Sequence, residues 1–360
     1  MASNSTDVRP PSLRVPSNRI FALDLIRVVA TFMIICFHFN VHLIQMGLAP
    51  STIFGVHPSG SMLGDLGVAL FIIISGASLM YRSNDSFVAR KFFWRRFLSI
   101  YPLFWLSYLC AALFIVTQFP AGPSPFAFGL TIIAMDGFTL YKIPNFYLIG
   151  EWYLGCQILL YLLFPFFRKL FLRDRLLAFL LGMMIVVLTV KYYDLGMAIN
   201  RFPLTHTLEF LFGFSLINLI PSGNEKTLGL LRFLVLGLLW FFFLNSPTQS
   251  SVLNMMVLAG IFSLLLSNIS CFFETSRLVV IITFLGRYCY GAFLIHHVLI
   301  LRIFQELKDK HLTQFETYIL FVGISLTSFI ISLILTRLSH LIVNKISDLW
   351  KRDHRMALHA

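Results

Sequence analysis

The sequence predicts an all-α fold: a polytopic membrane bundle of about ten transmembrane helices. The chain has 360 residues, of which 58% are hydrophobic and only 12% charged, and its mean hydropathy is +0.82. A soluble globular chain is about one quarter charged, so this chain has too little polar surface to cover a water-soluble particle. The composition therefore excludes soluble domains, a disordered chain, a coiled coil and a disulfide scaffold. Long apolar runs in lipid must be helical to satisfy their backbone hydrogen bonds.

Ten apolar stretches have the length of about 20 residues that a bilayer requires. They cover residues 20–44, 61–82, 97–118, 146–168, 176–193, 203–221, 228–245, 252–272, 279–301 and 314–339. A further stretch at 126–141 is shorter and is bracketed by Pro and Gly, so we predict a re-entrant or interfacial segment there. The chain then divides into a cytoplasmic polar tail at 1–18, a membrane domain at 19–340 and a basic cytoplasmic tail at 341–360.

The formal net charge of +12 would suggest nucleic-acid binding in a soluble protein. In a membrane protein, basic residues collect in the cytoplasmic loops. With ten spans and a cytoplasmic N-terminus, most Lys and Arg residues fall on the inner side, and this bias disappears if 126–141 also spans. We therefore predict a multi-pass protein of the inner or plasma membrane with both termini cytoplasmic, embedded in the lipid bilayer and with no nucleic-acid partner.

The first predicted helix carries ionisable residues at a spacing that places them on one face. Arg27 and His38 are eleven residues apart, which is about 20° past three full turns and about 16 Å along the axis. Arg27 then lies toward the cytoplasm and His38 toward the exterior. Asp24 is three residues from Arg27 and can pair with it, and this contact fits a purely neutralising helix pair equally well.

The other intramembrane polar residues separate by depth, and each is a functional candidate because charge in hydrocarbon is costly. The inner level holds Arg95, Arg96, Tyr101 and Arg287, and the outer level holds Asp65, Glu151, His206, Glu209, His296 and His297. The inner set suits a polyanionic ligand from the cytoplasm, and the outer set suits proton transfer. His206 and Glu209 also fit a simple hydrogen-bonded pair.

A metal site is not predicted. His38 and His42 have the i, i+4 spacing of metal ligands, but no H-E-x-x-H motif or cysteine partner accompanies them. The five cysteines lie in apolar stretches without a C-x-x-C pair, which argues against a disulfide framework as well as a zinc site.

Five elements in chain order carry a recognisable pattern. They are LD-x-x-R at Leu23–Arg27 with R-x10-H ending at His38, G-V-x-x-F-x-x-x-S-G at Gly67–Gly76, the basic pair Arg95-Arg96 before Pro102, Glu151-Trp152-Tyr153-Leu154 with Tyr161 and Pro165, and Gly286–His297. Together they resemble the membrane acyltransferase-3 family, bacterial multi-pass O-acyltransferases that act on surface polysaccharides. The chain departs from the family pattern at Ser99, Gln157 and Cys289.

The resemblance implies an acyltransferase that has no bound cofactor and uses acyl-CoA, with acetyl-CoA as the default donor. The acceptor is a lipid-linked or surface polysaccharide, and homo-oligomerisation is left open. His38 is expected to act as general base or as transient acyl acceptor, with Glu151, Asp65 or Asp24 as the carboxylate that orients it. Arg27 is expected to hold the nucleotide phosphates or the thioester end of the donor. The expected substrate-binding residues are Arg95, Arg96, Tyr101, Trp152, Arg287, His296, His297 and Asp65.

Two other functions fit the buried charges. A transporter or flippase for polysaccharide units would also use ionisable groups and broken helices, but it should show internal repeats, which the sequence does not. A catalytically inactive member that serves as a structural partner in polysaccharide assembly would have no need of an intact Arg27 and His38.

Overall fold

The computed structural model describes residues 20–55, 62–83, 87–115, 123–220, 226–244, 252–273 and 276–357. Over these residues the secondary structure is helical and includes no strand. The α-helices are α1 (Phe21–Gln45), α2 (Met62–Arg82), α3 (Ala89–Cys110), α4 (Phe128–Ile132), α5 (Asp136–Thr139), α6 (Glu151–Arg173), α7 (Arg175–Tyr192), α8 (Thr207–Leu219), α9 (Lys226–Leu244), α10 (Val252–Phe273), α11 (Leu278–Glu306) and α12 (Gln314–Ala357). A π-helical turn at Ala111–Ile115 extends α3.

Eight helices in the described part of the chain are long and apolar enough to cross a membrane, namely α1, α2, α3, α6, α7, α10, α11 and α12. This confirms the predicted all-α polytopic bundle. The other two predicted spans correspond to α8 and α9. Helix α8 has 13 residues, about 20 Å of helix, which is less than the hydrocarbon thickness of about 30 Å. A 3-10 turn at Pro203–His206 lengthens it at its start.

Helix boundaries differ from the predicted ones where charged residues continue a helix beyond its apolar part. Helix α3 begins at Ala89 rather than near residue 97, and α12 continues to Ala357 rather than ending near 339. Most of the segment predicted as a basic tail at 341–360 is therefore helical. Hydropathy marks only the apolar part of a helix, whereas Lys and Arg have high helix propensity and extend it without an apolar signal.

The short segment at 126–141 forms three brief helical pieces, Pro125–Ala127, α4 and α5. None of them is long enough to span a bilayer, in agreement with the expectation for this segment. It packs on α3, where the Tyr101 hydroxyl donates to the Ile133 carbonyl at 3.2 Å and Trp105 Nε1 donates to the Ile132 carbonyl at 3.0 Å. These aromatic donors satisfy backbone groups that a broken helix leaves open.

Helix α1 lies at the centre of the bundle and packs against α2, α10, α11 and α12. It runs parallel to α11, because Asp24 faces Gly286 near the start of both helices and Phe39 contacts Phe304 near their ends. We call the end of the bundle that holds the first residues of α1 the inner end, and the opposite end the outer end. The sequence orientation predicts that the inner end faces the cytoplasm.

Candidate active site

A cavity of about 570 Å³ opens at the inner end of the bundle. Its charged lining residues are the arginines Arg27, Arg82, Arg96, Arg287 and Arg337, with His340 and the carboxylate of Asp24. Arg27 and Arg96 are half-buried, whereas the other three arginines are exposed and therefore stand nearer its mouth. Five guanidinium groups against one carboxylate give the cavity a net positive charge that suits phosphate groups.

The deepest charged contact of this cavity is an ion pair within α1. Arg27 Nη1 donates to Asp24 Oδ1 at 2.6 Å, and Asp24 is buried while Arg27 remains partly accessible. The structure thus confirms the predicted i, i+3 pair. Gly286 on α11 makes room for it, because a methyl group at Gly286 would lie 3.0 Å from Asp24 Oδ1. The pair fixes the Arg27 guanidinium on the cavity wall.

A chain of hydrogen bonds lines the cavity between α2 and α6. The Tyr153 hydroxyl donates to Gln157 Oε1 at 2.7 Å, and Gln157 Nε2 donates to Ser75 Oγ at 3.0 Å. Ser75 Oγ donates in turn to the Tyr161 hydroxyl at 3.1 Å. Gln157 is a position at which the sequence departs from the family pattern, and here its amide both accepts and donates, so the chain carries no charge of its own.

Four histidines meet beyond this cavity, toward the outer end. The rings of His296 and His297 on α11 lie 5.2 Å and 5.0 Å from the His38 ring, centroid to centroid. His42 Nε2 and His297 Nε2 are 3.0 Å apart, and His296 Nδ1 donates to the Phe293 carbonyl at 2.7 Å. Within the described residues no hydrogen bond commits a ring nitrogen of His38 to another side chain.

Three aromatic rings separate the cavity from the histidines, and we call Phe71, Tyr153 and Phe293 the aromatic layer. All three line the cavity, and their ring centroids lie 5.4 to 6.3 Å apart. The Phe293 ring is 5.8 Å from the His296 ring on the other side. The aromatic layer therefore reaches the histidines through Phe293 and His296, and the His296 ring in turn lies 5.2 Å from the His38 ring.

A second polar group lies at the outer end. His206 Nδ1 and Glu209 Oε2 are 2.5 Å apart, which confirms this predicted pair, and the other ring nitrogen donates to the Asn200 carbonyl at 2.8 Å. Asn200 Nδ2 donates to both carboxylate oxygens of Asp65, at 3.0 and 3.1 Å. The Trp152 ring stacks on His206 at 6.3 Å. These contacts leave neither Asp65 nor Trp152 directed at His38.

The carboxylates expected to orient His38 are placed elsewhere or lie outside the description. Asp24 pairs with Arg27 and is fourteen residues from His38, about 21 Å along α1. Asp65 binds Asn200. Glu151 is the first residue of α6, and its side chain lies outside the described residues. The neighbours that the structure gives His38 are histidines rather than acids.

Of the residues expected at the inner level, Arg27, Arg96 and Arg287 line the cavity, together with Asp24. Arg95 is exposed on α3, and the Tyr101 hydroxyl donates to the Ile133 carbonyl. Neither residue lines the cavity. The sequence interpretation missed Arg82, Arg337 and His340, which line the cavity from the last residue of α2 and the middle of α12. Their only sequence signal was a basic side chain at or near the end of a predicted apolar stretch, where ordinary membrane anchors also lie.

Comparison with known proteins identifies the family of this bundle. A family model described as an acyltransferase domain, that of the acyltransferase-3 family, matches residues 20–337. No match is found among curated protein sequences or among solved structures. The matched range covers nearly the whole chain and includes the five arginines of the cavity and the histidines of α1 and α11. The chain therefore belongs to the acyltransferase-3 family and is a multi-pass membrane acyltransferase.

Proposed function

We propose that this protein is an O-acyltransferase that moves an acyl group, with acetyl as the default, from cytoplasmic acyl-CoA to a hydroxyl of a cell-surface polysaccharide. One observation carries the proposal. Arg27 in the wall of the arginine-lined cavity and His38 lie on the same central helix, and the aromatic layer of the cavity reaches the histidines through the contact of Phe293 with His296. A donor with phosphates at one end and a thioester at the other matches this separation of about 16 Å along α1.

The donor is held by its phosphates. Arg27 and Arg96 lie deepest among the arginines of the cavity, and guanidinium forks match phosphate geometry better than a single ammonium does. Arg287 and Arg337 at the mouth add positive charge where the nucleotide enters. The thioester arm then extends past the hydroxyls of Tyr153 and Tyr161 toward the aromatic layer. Reaction requires Phe71, Tyr153 or Phe293 to change rotamer so that the arm can pass.

The transfer itself needs a base and a leaving group. His38 removes the proton from the acceptor hydroxyl, whose oxygen attacks the thioester carbonyl carbon. A C–O bond forms, the C–S bond breaks, and the CoA thiolate that leaves takes up a proton from the imidazolium. A neutral imidazole does this near neutral pH. His38 can also take the acyl group first and pass it to the acceptor, with the same overall balance.

The test uses purified protein reconstituted in membranes, with radiolabelled acyl-CoA inside and a glycan acceptor outside. His38→Ala is expected to lower kcat by about 10² to 10⁴, because general-base catalysis contributes that much. The matched control is His311→Ala, an exposed histidine in the loop before α12, and it should behave as wild type. Full activity of the His38→Ala protein would show that His38 is not the catalytic base.

The same assay separates acyl transfer from transport. If the wild-type protein is the only catalyst present and label appears on the glycan, the protein carries out transfer. If glycan crosses the membrane without label, the transporter alternative is correct and the proposal fails. The acceptor is identified by mass analysis of surface glycans from cells with and without the protein.

A further inference from the structure

Three histidines toward the outer end of the bundle form a cluster, and the proposed reaction uses only one of them as its base. They are His38 and His42 on α1 and His297 on α11, and one ring nitrogen of each lies within 4.8 Å of the others. No metal site was predicted from the sequence, because no H-E-x-x-H motif or cysteine partner offered the pair on α1 a third ligand. The parallel packing of α1 and α11 supplies it from a residue 255 positions away.

The spacing of these nitrogens fits a tetrahedral ion. A zinc ion bound at about 2.0–2.1 Å holds its nitrogen ligands about 3.3 Å from one another. His42 Nε2 and His297 Nε2 are already 3.0 Å apart, and His38 is one helical turn from His42 on the same face. The remaining nitrogen separations are at most 4.8 Å, so side-chain movement has to shorten them by no more than about 1.5 Å.

The surroundings allow an ion to enter and leave one position open. His42 is buried, whereas His38 and His297 are half-buried, so the cluster is reachable on one side. Three protein ligands with a free fourth position is the arrangement of an accessible zinc site rather than a closed structural one. Imidazole ligands alone favour zinc, copper, nickel or cobalt over magnesium and calcium, which prefer oxygen.

Charged side chains also act on this region. Arg201 acts on His38 with a positive charge, and the carboxylates of Asp65 and Glu209 belong to the same outer polar group. The contact between His42 and His297 requires one Nε2 proton. Metal binding moves that proton to Nδ1 or releases it, because every ligating nitrogen must offer a lone pair.

We propose that His38, His42 and His297 bind one transition-metal ion of the zinc class and that the bound ion inhibits acyl transfer. The inhibition follows because the ion occupies the His38 lone pair that would accept the proton of the acceptor hydroxyl. This part rests on the proposed function. The site itself rests on the placement of three histidines from two helices and can be tested without any acyl donor.

The direct test is a titration of the purified protein in detergent with Co²⁺, without acyl-CoA. Tetrahedral Co²⁺ absorbs visible light much more strongly than octahedral Co²⁺, so the spectrum reports the geometry of the site. One tetrahedral Co²⁺ per chain is expected, and added Zn²⁺ should displace it. Zn²⁺ should also raise the thermal unfolding midpoint of the wild-type protein, because an ion that binds only the native state stabilises it.

The variants remove one ligand from each helix. His42→Gln and His297→Gln are expected to weaken Co²⁺ binding at least about tenfold. The matched control His311→Gln alters an exposed histidine outside the cluster and should bind as wild type. The rise of the wild-type unfolding midpoint with Zn²⁺ needs no variant, so a ligand variant that fails to fold leaves the test intact. An octahedral spectrum, or tetrahedral binding that survives in both ligand variants, would overturn the site.

The inhibitory part has its own outcome. Zn²⁺ should stop acyl transfer by wild type, and the half-inhibiting concentration should rise at least about tenfold in His42→Gln, in step with its weaker binding. If Co²⁺ binds as expected and Zn²⁺ leaves transfer unchanged, the inhibitory role is wrong. If Co²⁺ binds and no preparation transfers acyl groups, the proposed function is wrong and the metal site stands.

Discussion

At the scale of single residues, the inner cavity depends on how Asp24 is held. A buried carboxylate beside an arginine lowers the net charge of the cavity, but it also fixes the direction of the Arg27 guanidinium. An arginine held by a neighbour loses less side-chain freedom when it binds a phosphate than a free one does. The Asp24–Arg27 pair therefore serves as a positioning contact as well as a neutralising one.

Gly286→Ala tests this role without removing any charge. The added methyl group would approach the Asp24 carboxylate to 3.0–3.1 Å, so Asp24 must shift and take Arg27 with it. Overpacking of this kind costs about 1–3 kcal/mol. We expect the KM for acyl-CoA to rise several-fold with a smaller change in kcat, measured by steady-state acyl transfer.

The control for Gly286→Ala is Gly323→Ala on α12. Gly323 also lies within a helix, and a methyl group there would meet no heavy atom within 4 Å. This variant should keep the KM of wild type and gain up to about 1 kcal/mol from helix propensity. Equal KM values in both variants would show that the position of Asp24 does not influence donor binding.

The sequence predicted some site residues and missed others for a physical reason. Arg27 and His38 were predicted because one helix fixes their relative position, whatever the rest of the fold does. The partners of His38 on α11 and the cavity residues Arg337 and His340 on α12 depend on which helices pack together. Helix pairing leaves no local pattern in a single sequence, so these contacts became visible only in the structure.

At the scale of the elements, close helix packing explains one of the family-like motifs. Gly76 on α2 and Gly213 on α8 lie where the two helices touch: a methyl group at Gly76 would lie 2.3 Å from the Phe210 carbonyl oxygen, and one at Gly213 would lie 2.1 Å from that of Ile73. Small residues let transmembrane helices approach at backbone distance. The apolar stretches alone predicted where most of these helices lie, but not which of them touch.

The short segment between α3 and α6 contains a buried acid, Asp136. Within the described residues, neither of its carboxylate oxygens has a donor in hydrogen-bonding geometry. Burial raises the pKa of Asp136 to about 6, and the nearby Thr131 hydroxyl offsets only part of that rise. The folded protein therefore binds this proton more tightly than the unfolded chain, in which Asp has a pKa of about 3.9.

The sign of the pH effect follows from this difference. The stability that Asp136 contributes is fully present below about pH 4 and is lost as the pH rises through about 6. We expect Asp136→Asn to match wild type near pH 4 and to have the higher thermal unfolding midpoint near pH 7. The free-energy difference at pH 7 has an upper limit of about 3 kcal/mol.

The comparison uses Asp174→Asn as its control. Asp174 is exposed and caps α7 by accepting from the Leu177 N–H at 3.0 Å, and Asn caps a helix about as well as Asp. Asp174→Asn should not raise the unfolding midpoint at pH 7, because the exposed carboxylate carries no burial penalty. If Asp136→Asn also gains nothing at pH 7, the Asp136 carboxyl is ionised without cost in the folded protein.

At the scale of the whole molecule, the bundle separates recognition from reaction. Positive charge lines the inner cavity, and imidazoles meet beyond the aromatic layer, with α1 and α11 contributing to both. The enzyme interpretation required His38 to face the bundle interior rather than lipid. The structure places its ring against His296 and His297 of α11, on the axis that leads from Arg27.

This separation predicts that nucleotide recognition and chemistry can be altered independently. Wild type should favour acyl-CoA over the matching acyl-pantetheine, which keeps the thioester arm and lacks the nucleotide, by about 10- to 100-fold in kcat/KM. That ratio corresponds to one or two charge-assisted hydrogen bonds of about 1.5–3 kcal/mol in total. Arg27 and Arg96, the deepest arginines of the cavity, should account for most of it.

Two variants distinguish the two ends of the molecule. Arg96→Gln should lower kcat/KM for acyl-CoA and leave acyl-pantetheine almost unchanged, because the guanidinium meets only the part of the donor that the shorter thioester lacks. His38→Ala should lower kcat/KM by the same factor for both donors, since both carry the acyl carbonyl. Steady-state rates with the two donors give both ratios. If Arg96→Gln slows both donors equally, the inner cavity does not bind the nucleotide, and the arginines there serve packing or membrane anchoring instead.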